Sequence, residues 1–347
     1  MTLMTLRDMA YSARRYMVVG VAMSIVFTLL YLMDGLVEQF NEEPYLTVEA
    51  IGAETWVLPS GSSGPFTSSA TLSAAEAEAA ATDPALTALV VARGTLTEGA
   101  DAQEALVIGH PVGGVGMPPV VAGVAASGAG ELVVDRTSGV SVGDEVRVGD
   151  RGFTVVGLSA DTTLLAGLPV VFMPIGDARS GLFGGSPVVS ALVSDAPLRQ
   201  EPDGLTVLEG EEVAADALGP LESAVASIDL IRGLLWLMAA TIVGGVLYLT
   251  VLERQRDFAV LKALGGTNRQ LLASLALQAV AITTAAVAVA TLLQSAIAPW
   301  FPLTVRVPMS AYVQVPAVAF LVAIVATRAG SARVRSADPI AAFGGPS

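Results

Sequence analysis

The sequence predicts a membrane protein: four transmembrane α-helices, with a large α+β domain inserted between the first and the second. Three features predict this. There are four apolar runs of bilayer length or close to it. Between the first two lies an acidic block of roughly 190 residues, within the usual size of one domain. Basic residues gather beside the spans at positions that an even span count places on one side. Of 347 residues, 53% are hydrophobic and only 14% charged, against about 25% charged in soluble domains.

A hydrocarbon core about 30 Å thick needs roughly 20 apolar residues of helix. The first span is placed at 17–38 around "MVVGVAMSIVFTLLYLM", after an N-terminal amphipathic segment at 1–16. Arg14 and Arg15 precede it, as in a signal peptide, but "YLMDGLVEQF" offers no small-x-small cleavage site, so an uncleaved anchor is expected. The second span, "GLLWLMAATIVGGVLYLTVL", belongs to a stalk-and-span segment at 221–252. The third occupies 270–294 and the fourth 311–328, joined by a short loop at 295–310. Residues 253–269 form the loop between spans two and three, and 329–347 form a tail.

Charge orients the spans. Arg7, Arg14 and Arg15 precede the first; Arg254, Arg256, Lys262 and Arg269 lie between the second and third; Arg328, Arg333 and Arg335 follow the fourth. The positive-inside rule puts all three groups in the cytoplasm and the 39–220 domain outside. Between Gln39 and Ile228 there are 25 acidic residues against six arginines, a net −19, whereas the rest has 7 acids and 12 bases. A basic nucleic-acid-binding face is not supported. The excess of Arg over Lys and the abundant Ala suit a GC-rich bacterial genome.

The outer domain reads as mixed. "VSVGDEVRVGDRGFTVVGL" (140–158) alternates apolar and polar residues about a turn at Gly149–Gly152, a hairpin pattern. Strands are expected at 168–175, 188–194 and 205–209, and a helix at 72–82 with Ser73 as N-cap. Residues 106–134 are apolar but broken by Pro111, Pro118, Pro119 and many glycines. Lipid would leave such a backbone unpaired, so strands and turns of the folded domain are expected there. Leu221, Val225, Ile228 and Ile231 recur at helical spacing into span two and predict a stalk.

Signatures of catalysis are few. The chain has no cysteine and one histidine, His110, which excludes thiolate and multi-histidine metal sites. Lys262 follows no glycine loop, so ATP binding of the Walker type is not expected, and "SGSSG" (60–64) is not a serine elbow. Asp34, Asp229 and Arg232 lie near span ends, where charged side chains reach the interface. No catalytic, cofactor or metal residue is assigned, and the chain is read as no enzyme.

The patterned segment is "ERQRDFAVLKALGG" (253–266). Treated as a helix, it puts Phe258 and Leu261 on one face with Val260 and Leu264 close by. Arg254, Arg256, Asp257 and Lys262 supply polar surface, and two glycines end it. The order Glu253–Arg254, Asp257, Lys262, Ala263–Leu264–Gly265 closely resembles the corresponding segment of FtsX-like permeases of the MacB type, the type VII ABC transporters. The four-span layout, the 142–158 strand pair and the tail "SADPIAAF" (336–343) resemble that family too, and "WVLPSGSSGPF" (56–66) looks like its DevC-like branch.

The resemblance implies the permease subunit of an ABC transporter in a bacterial plasma membrane, multi-pass, with both termini cytoplasmic. It implies two copies of a separate ATPase that binds ATP and Mg and docks on Glu253, Arg254, Arg256, Asp257, Phe258, Leu261, Lys262, Leu264 and Gly265. It further implies a homodimer and mechanical transmission to the outer domain for export or extraction, with an outer adaptor or substrate protein as a further partner. Two alternatives stand beside it: an FtsX-like regulator that activates a cell-wall hydrolase outside, and a membrane-anchored sensor without an ATPase.

Overall fold

The computed structural model describes residues 13–80, 84–198, 202–253, 267–301, 303 and 305–336. The chain divides into two compact units, Met1–Glu38 with Ala226–Ser347, and Gln39–Val225.

The first unit is helical. Its parts come from α1 (Ala13–Ile51), α5 (Glu222–Glu253), α6 (Asn268–Ile297) and α7 (Ala311–Ser336). Among the described residues three helical stretches are long and apolar enough to cross a membrane: Tyr16–Ile51, Gly210–Val246 and Leu275–Trp300. A shorter apolar stretch covers Ala311–Val325. Their shared core interleaves Met23, Phe27, Leu30 and Tyr31 with Leu235, Ala239 and Val243 of α5, Ala279, Ala286 and Ala290 of α6, and Ala311, Val315, Ala319 and Ala323 of α7. Small residues dominate α6 and α7 there. In lipid no hydrophobic force draws helices together, so close approach of backbones at small side chains carries the packing. Polar side chains are paired across helices. Tyr16 Oη donates to Gln278 Oε1 at 3.2 Å, and Gln294 Nε2 donates to Tyr312 Oη at 2.6 Å.

The second unit, Gln39–Val225, is built on a mixed sheet. Its strands are β1 (Thr55–Leu58), β2 (Thr87–Glu98), β3 (Asp101–His110), β4 (Ala122–Gly123), β5 (Glu131–Asp135), β6 (Glu145–Val148), β7 (Arg151–Ser159), β8 (Thr163–Leu164), β9 (Leu168–Pro174), β10 (Ala191–Ser194) and β11 (Thr206–Glu209). The order is β11-β1-β10-β2-β3-β9-β5-β7-β4, with β6 joining β2 and β7, and β8 on β9. Pairs β3–β9 and β5–β7 are parallel and the others antiparallel. Short helices α2 (Ala74–Ala80), α3 (Ile175–Leu182) and α4 (Gly210–Leu218) accompany the sheet.

The central strands are apolar on both faces because both faces are covered. Leu106, Ile108, Val170 and Phe172 enter one core with Trp56 and Val213, while their neighbours Val107, Val171 and Met173 enter another with Val90 and Ala178. Successive side chains of a strand point to opposite faces, so a doubly covered strand loses the polar alternation. Helix α3 lies close on β3 at Gly109, where a Cβ would come within 2.5 Å of the Ala178 Cβ. His110 is 1% exposed with Nδ1 2.9 Å from the Pro111 carbonyl; burial pushes its pKa down, as befits a neutral core residue.

Several sequence expectations are refined. The first helix does not end near 38 but continues to Ile51 through Pro44. The 140–158 hairpin closes with Val148 opposite Arg151, so Gly149 and Asp150 form the turn and Gly152 lies in the strand. Gly149 has φ +60°, the left-handed value that a tight hairpin loop demands of its first residue. The 72–82 helix is observed at Ala74–Ala80, beyond which 81–83 lie outside the described residues. Its start is capped reciprocally: Ser73 Oγ accepts the Glu76 N–H at 3.2 Å, and Glu76 accepts the Ser73 N–H at 2.8 Å. Residues 106–134 form part of β3, then β4 and β5 within the second unit.

Candidate coupling site

The coupling segment is framed by two long helices. Helix α5 ends at Glu253 and α6 begins at Asn268. Arg254, Arg256, Asp257, Phe258, Leu261, Lys262, Leu264 and Gly265 lie outside the described residues. The site's geometry therefore rests on the helices that deliver it.

Helix α5 delivers its N-terminal side. It follows α4 and a single 3-10 turn, Gly219–Leu221, with Pro220 in that turn. A proline at the start of a helical segment gives up an N–H that has no partner there. From Glu222 the helix runs unbroken for 32 residues. Of the stalk residues, Leu221 and Ile228 are buried and Val225 is half-buried, but Ile231 is 46% exposed. The buried stripe continues instead through Leu235, Ala239 and Val243. At roughly 100° per residue these positions cluster about one direction, and Ile231 falls about 80° from its centre.

Three charges meet in the helical unit, one on α1 and two on α5. Arg232 on α5 reaches Asp34 on α1 at 2.6 Å through Nη2, and Asp229 at 2.7 Å through Nη1. Asp34 is 10% exposed, Arg232 29% and Asp229 55%. Sequence reasoning found these three residues but not their pairing, because Asp34 and Arg232 are far apart in the chain. The only available signal was that two opposite charges end two neighbouring spans at one level. The pair joins α1 to α5 directly.

Arg232→Met is expected to strand the Asp34 carboxylate and destabilise the helical unit by about 1–3 kcal/mol, the cost of orphaning a largely buried charge that water still partly reaches. A double-mutant cycle with Asp34→Asn, read by thermal denaturation in detergent, checks it. The double variant should recover most of the loss; simple additivity of the two single effects would show that the pair is not coupled.

Among the described residues no group of three or more His, Asp or Glu is arranged to hold a metal ion. Two long helices lead to and away from the patterned segment, and one of them is ion-paired to α1.

Comparison with known proteins gives the family. The description "FtsX-like permease C-terminal" matches residues 230–339, which begin on α5 and contain the coupling segment. The chain is 38% identical over 344 residues to an uncharacterized ABC transporter permease of Mycobacterium tuberculosis strain H37Rv, covering 98% of this chain and 99% of that one. A second uncharacterized ABC transporter permease of the same strain is 36% identical over the same shares. A crystal structure of the extracellular domain of the noncanonic ABC-type transporter YknZ from Gram-positive bacteria aligns with 42% of this chain and 84% of its own, at 15% identity and a TM-score of 0.30. Near-complete alignment with those permeases, together with apolar helices that lead into and out of a matched C-terminal region, places the chain in the FtsX-like family of ABC transporter permeases.

Proposed function

We propose that this chain is the membrane subunit of a transporter driven by a separate ATPase, and that the ATPase docks on residues 253–265. The observation that carries the reading is the position of "ERQRDFAVLKALGG" between two long apolar helices in a chain that is 38% identical to an ABC transporter permease. The chain crosses a bacterial plasma membrane four times, with both termini and the coupling segment in the cytoplasm. The 39–220 domain is outside. The fourth span is 311–328, of which Ala311–Val325 is a shorter apolar stretch.

Two copies pair, and two ATPase subunits bind beneath them, carrying the ATP and Mg that this chain does not hold. Phe258 and Leu261 fill the contact, and Arg254 and Lys262 orient it. Closure of the ATPases pushes on the segment, and α5, through Leu221, Val225 and Ile228, passes the movement to the outer domain. This is a coupling free energy between an inner and an outer site. Its output is export or extraction of a substrate at the outer face, with an adaptor or substrate protein as outer partner. A regulator of a cell-wall hydrolase would use the same transmission with a different outer partner. A sensor without an ATPase would leave the 253–266 pattern unexplained.

Co-expression with ABC ATPase subunits from the same genome tests the reading. A complex that survives purification, with ATP hydrolysis altered by this chain, is expected; an ATPase that neither binds nor responds would refute it.

A further inference from the structure

Strain in the outer unit is concentrated in one place. Among the described residues the non-glycine positions with left-handed φ are Asp161 (62°), Leu165 (55°) and Ala166 (70°), and Gly167 (89°) follows them. All fall within one short stretch of chain. A Cβ disfavours this conformation, most of all for a bulky residue such as Leu, and it persists only where surroundings impose it. Leu165–Gly167 is the loop of the tight β8–β9 hairpin, which pairs Thr163 with Pro169 and Leu164 with Leu168.

Two buried carboxylates hold this stretch of chain. Asp135, 0% exposed at the end of β5, accepts the Thr162 N–H at 2.8 Å and the Thr162 hydroxyl at 2.9 Å. Glu43, 1% exposed on α1, accepts the Ala166 N–H at 3.2 Å and the Gly167 N–H at 2.7 Å, one on each oxygen. One turn further along α1, Thr47 Oγ1 donates to the Thr163 carbonyl at 2.6 Å. Backbone N–H groups turned to one side make a concavity suited to an anion. Here the helix supplies that anion. The hairpin's other side reaches the core: Leu164 is fully buried, and β9 lies between β3 and β5 in the sheet.

We propose that Glu43 and the Leu165–Gly167 loop form a clamp through which the position of helix α1 sets the shape of the β8–β9 hairpin. With Glu43 seated, the loop stays left-handed. A shift of α1 directly away from the loop by about 1.5 Å lengthens both contacts past hydrogen-bond range. The loop then relaxes, and the change reaches β9 in the middle of the sheet. What moves α1 rests on the ATPase-coupled reading; the clamp itself does not.

The test uses the full chain in lipid nanodiscs, without ATPase or nucleotide, and residue-resolved hydrogen exchange. Glu43→Gln replaces one acceptor oxygen with an amide. It is expected to speed exchange at Ala166 and Gly167 about 10- to 100-fold, as loss of charge-assisted bonds requires. Thr162, held by Asp135, should keep its rate. Adding Ala166→Gly should bring the loop back toward the wild-type rate, since glycine accepts the left-handed conformation without strain. Unchanged exchange at 166 and 167 in the Gln variant overturns the clamp. So does uniform acceleration across the outer unit, which would make Glu43 a general core residue, and so does absence of rescue by Ala166→Gly. ATPase binding is assayed separately. A clamp that passes beside a chain that binds no ATPase stands while the coupling reading falls, and the reverse result removes the clamp alone.

Discussion

Aspartate at both Phe258 and Leu261 is expected to abolish assembly with the ATPase and to end nucleotide-dependent activity, while the chain still inserts in the membrane. The two residues are three apart, so on a helix their side chains share a face and present one apolar knob. Central apolar anchors of an interface each cost about 2 kcal/mol or more on removal, and a carboxylate placed in their pocket adds its own desolvation. Two such changes amount to about 4 kcal/mol, roughly a 1,000-fold loss of affinity. Insertion is spared because the substitutions lie outside the apolar runs. Lys262→Ala should act more mildly and depend on salt, as charges at the rim of an interface do. Pull-down and steady-state ATP hydrolysis, measured side by side, separate the two cases. An Asp pair that assembles and hydrolyses like the wild type would remove Phe258 and Leu261 from the contact.

The second large effect lies in the Gln39–Val225 unit. Trp56→Ala is expected to destabilise it by about 3–5 kcal/mol. Trp56 is fully buried in the strand flanked by β10 and β11, opposite Val193 and Leu208. Its ring packs edge-on to Phe66 at 5.8 Å between centroids, and its Nε1 donates to the Ala53 carbonyl at 3.3 Å. Truncation leaves a cavity between strands that cannot close on both sides at once. Since a domain's whole stability is about 5–15 kcal/mol, the midpoint of the outer unit should fall by roughly 6–20 °C. Calorimetry of the full chain in detergent reads it. Trp56→Phe keeps most of the volume and should lose far less; equal losses for Ala and Phe would point to the Ala53 hydrogen bond instead of packing.

The apolar runs and the basic clusters could be read from sequence because lipid imposes a composition that water does not. The 140–158 hairpin was readable because period-two alternation and a glycine turn are local signals. What could not be read depends on partners distant in the chain. The stretch Asn41–Pro44 looks like a loop: an asparagine, two glutamates and a proline follow one another. Yet α1 continues through it, because the loop amides of Ala166 and Gly167 satisfy Glu43 and make its burial tolerable. Strand β2 was missed because Arg93 and Gly94 interrupt its apolar run; Gly94 is fitted against Val107 of β3 and Leu182 of α3, where a larger residue would crowd both. Burial alone does not explain Ile231, whose exposure follows from where the buried stripe of α5 is centred, a direction that four spaced residues do not fix. The coupling segment itself was legible only as pattern and resemblance.

The most direct measurement exploits the absence of cysteine. In a Gln255→Cys variant the introduced thiol is unique and lies within the proposed docking segment, at a position not itself named as a contact. A maleimide that cannot cross the membrane, added to intact cells, should leave it unlabelled, whereas Ser63→Cys in the outer unit should be labelled. With a photoreactive maleimide in permeabilised membranes, position 255 should crosslink to the ATPase subunit. Labelling of position 255 from outside, or a crosslink yield no higher than that of position 63, would contradict the account that residues 253–265 face the cytoplasm and hold the ATPase.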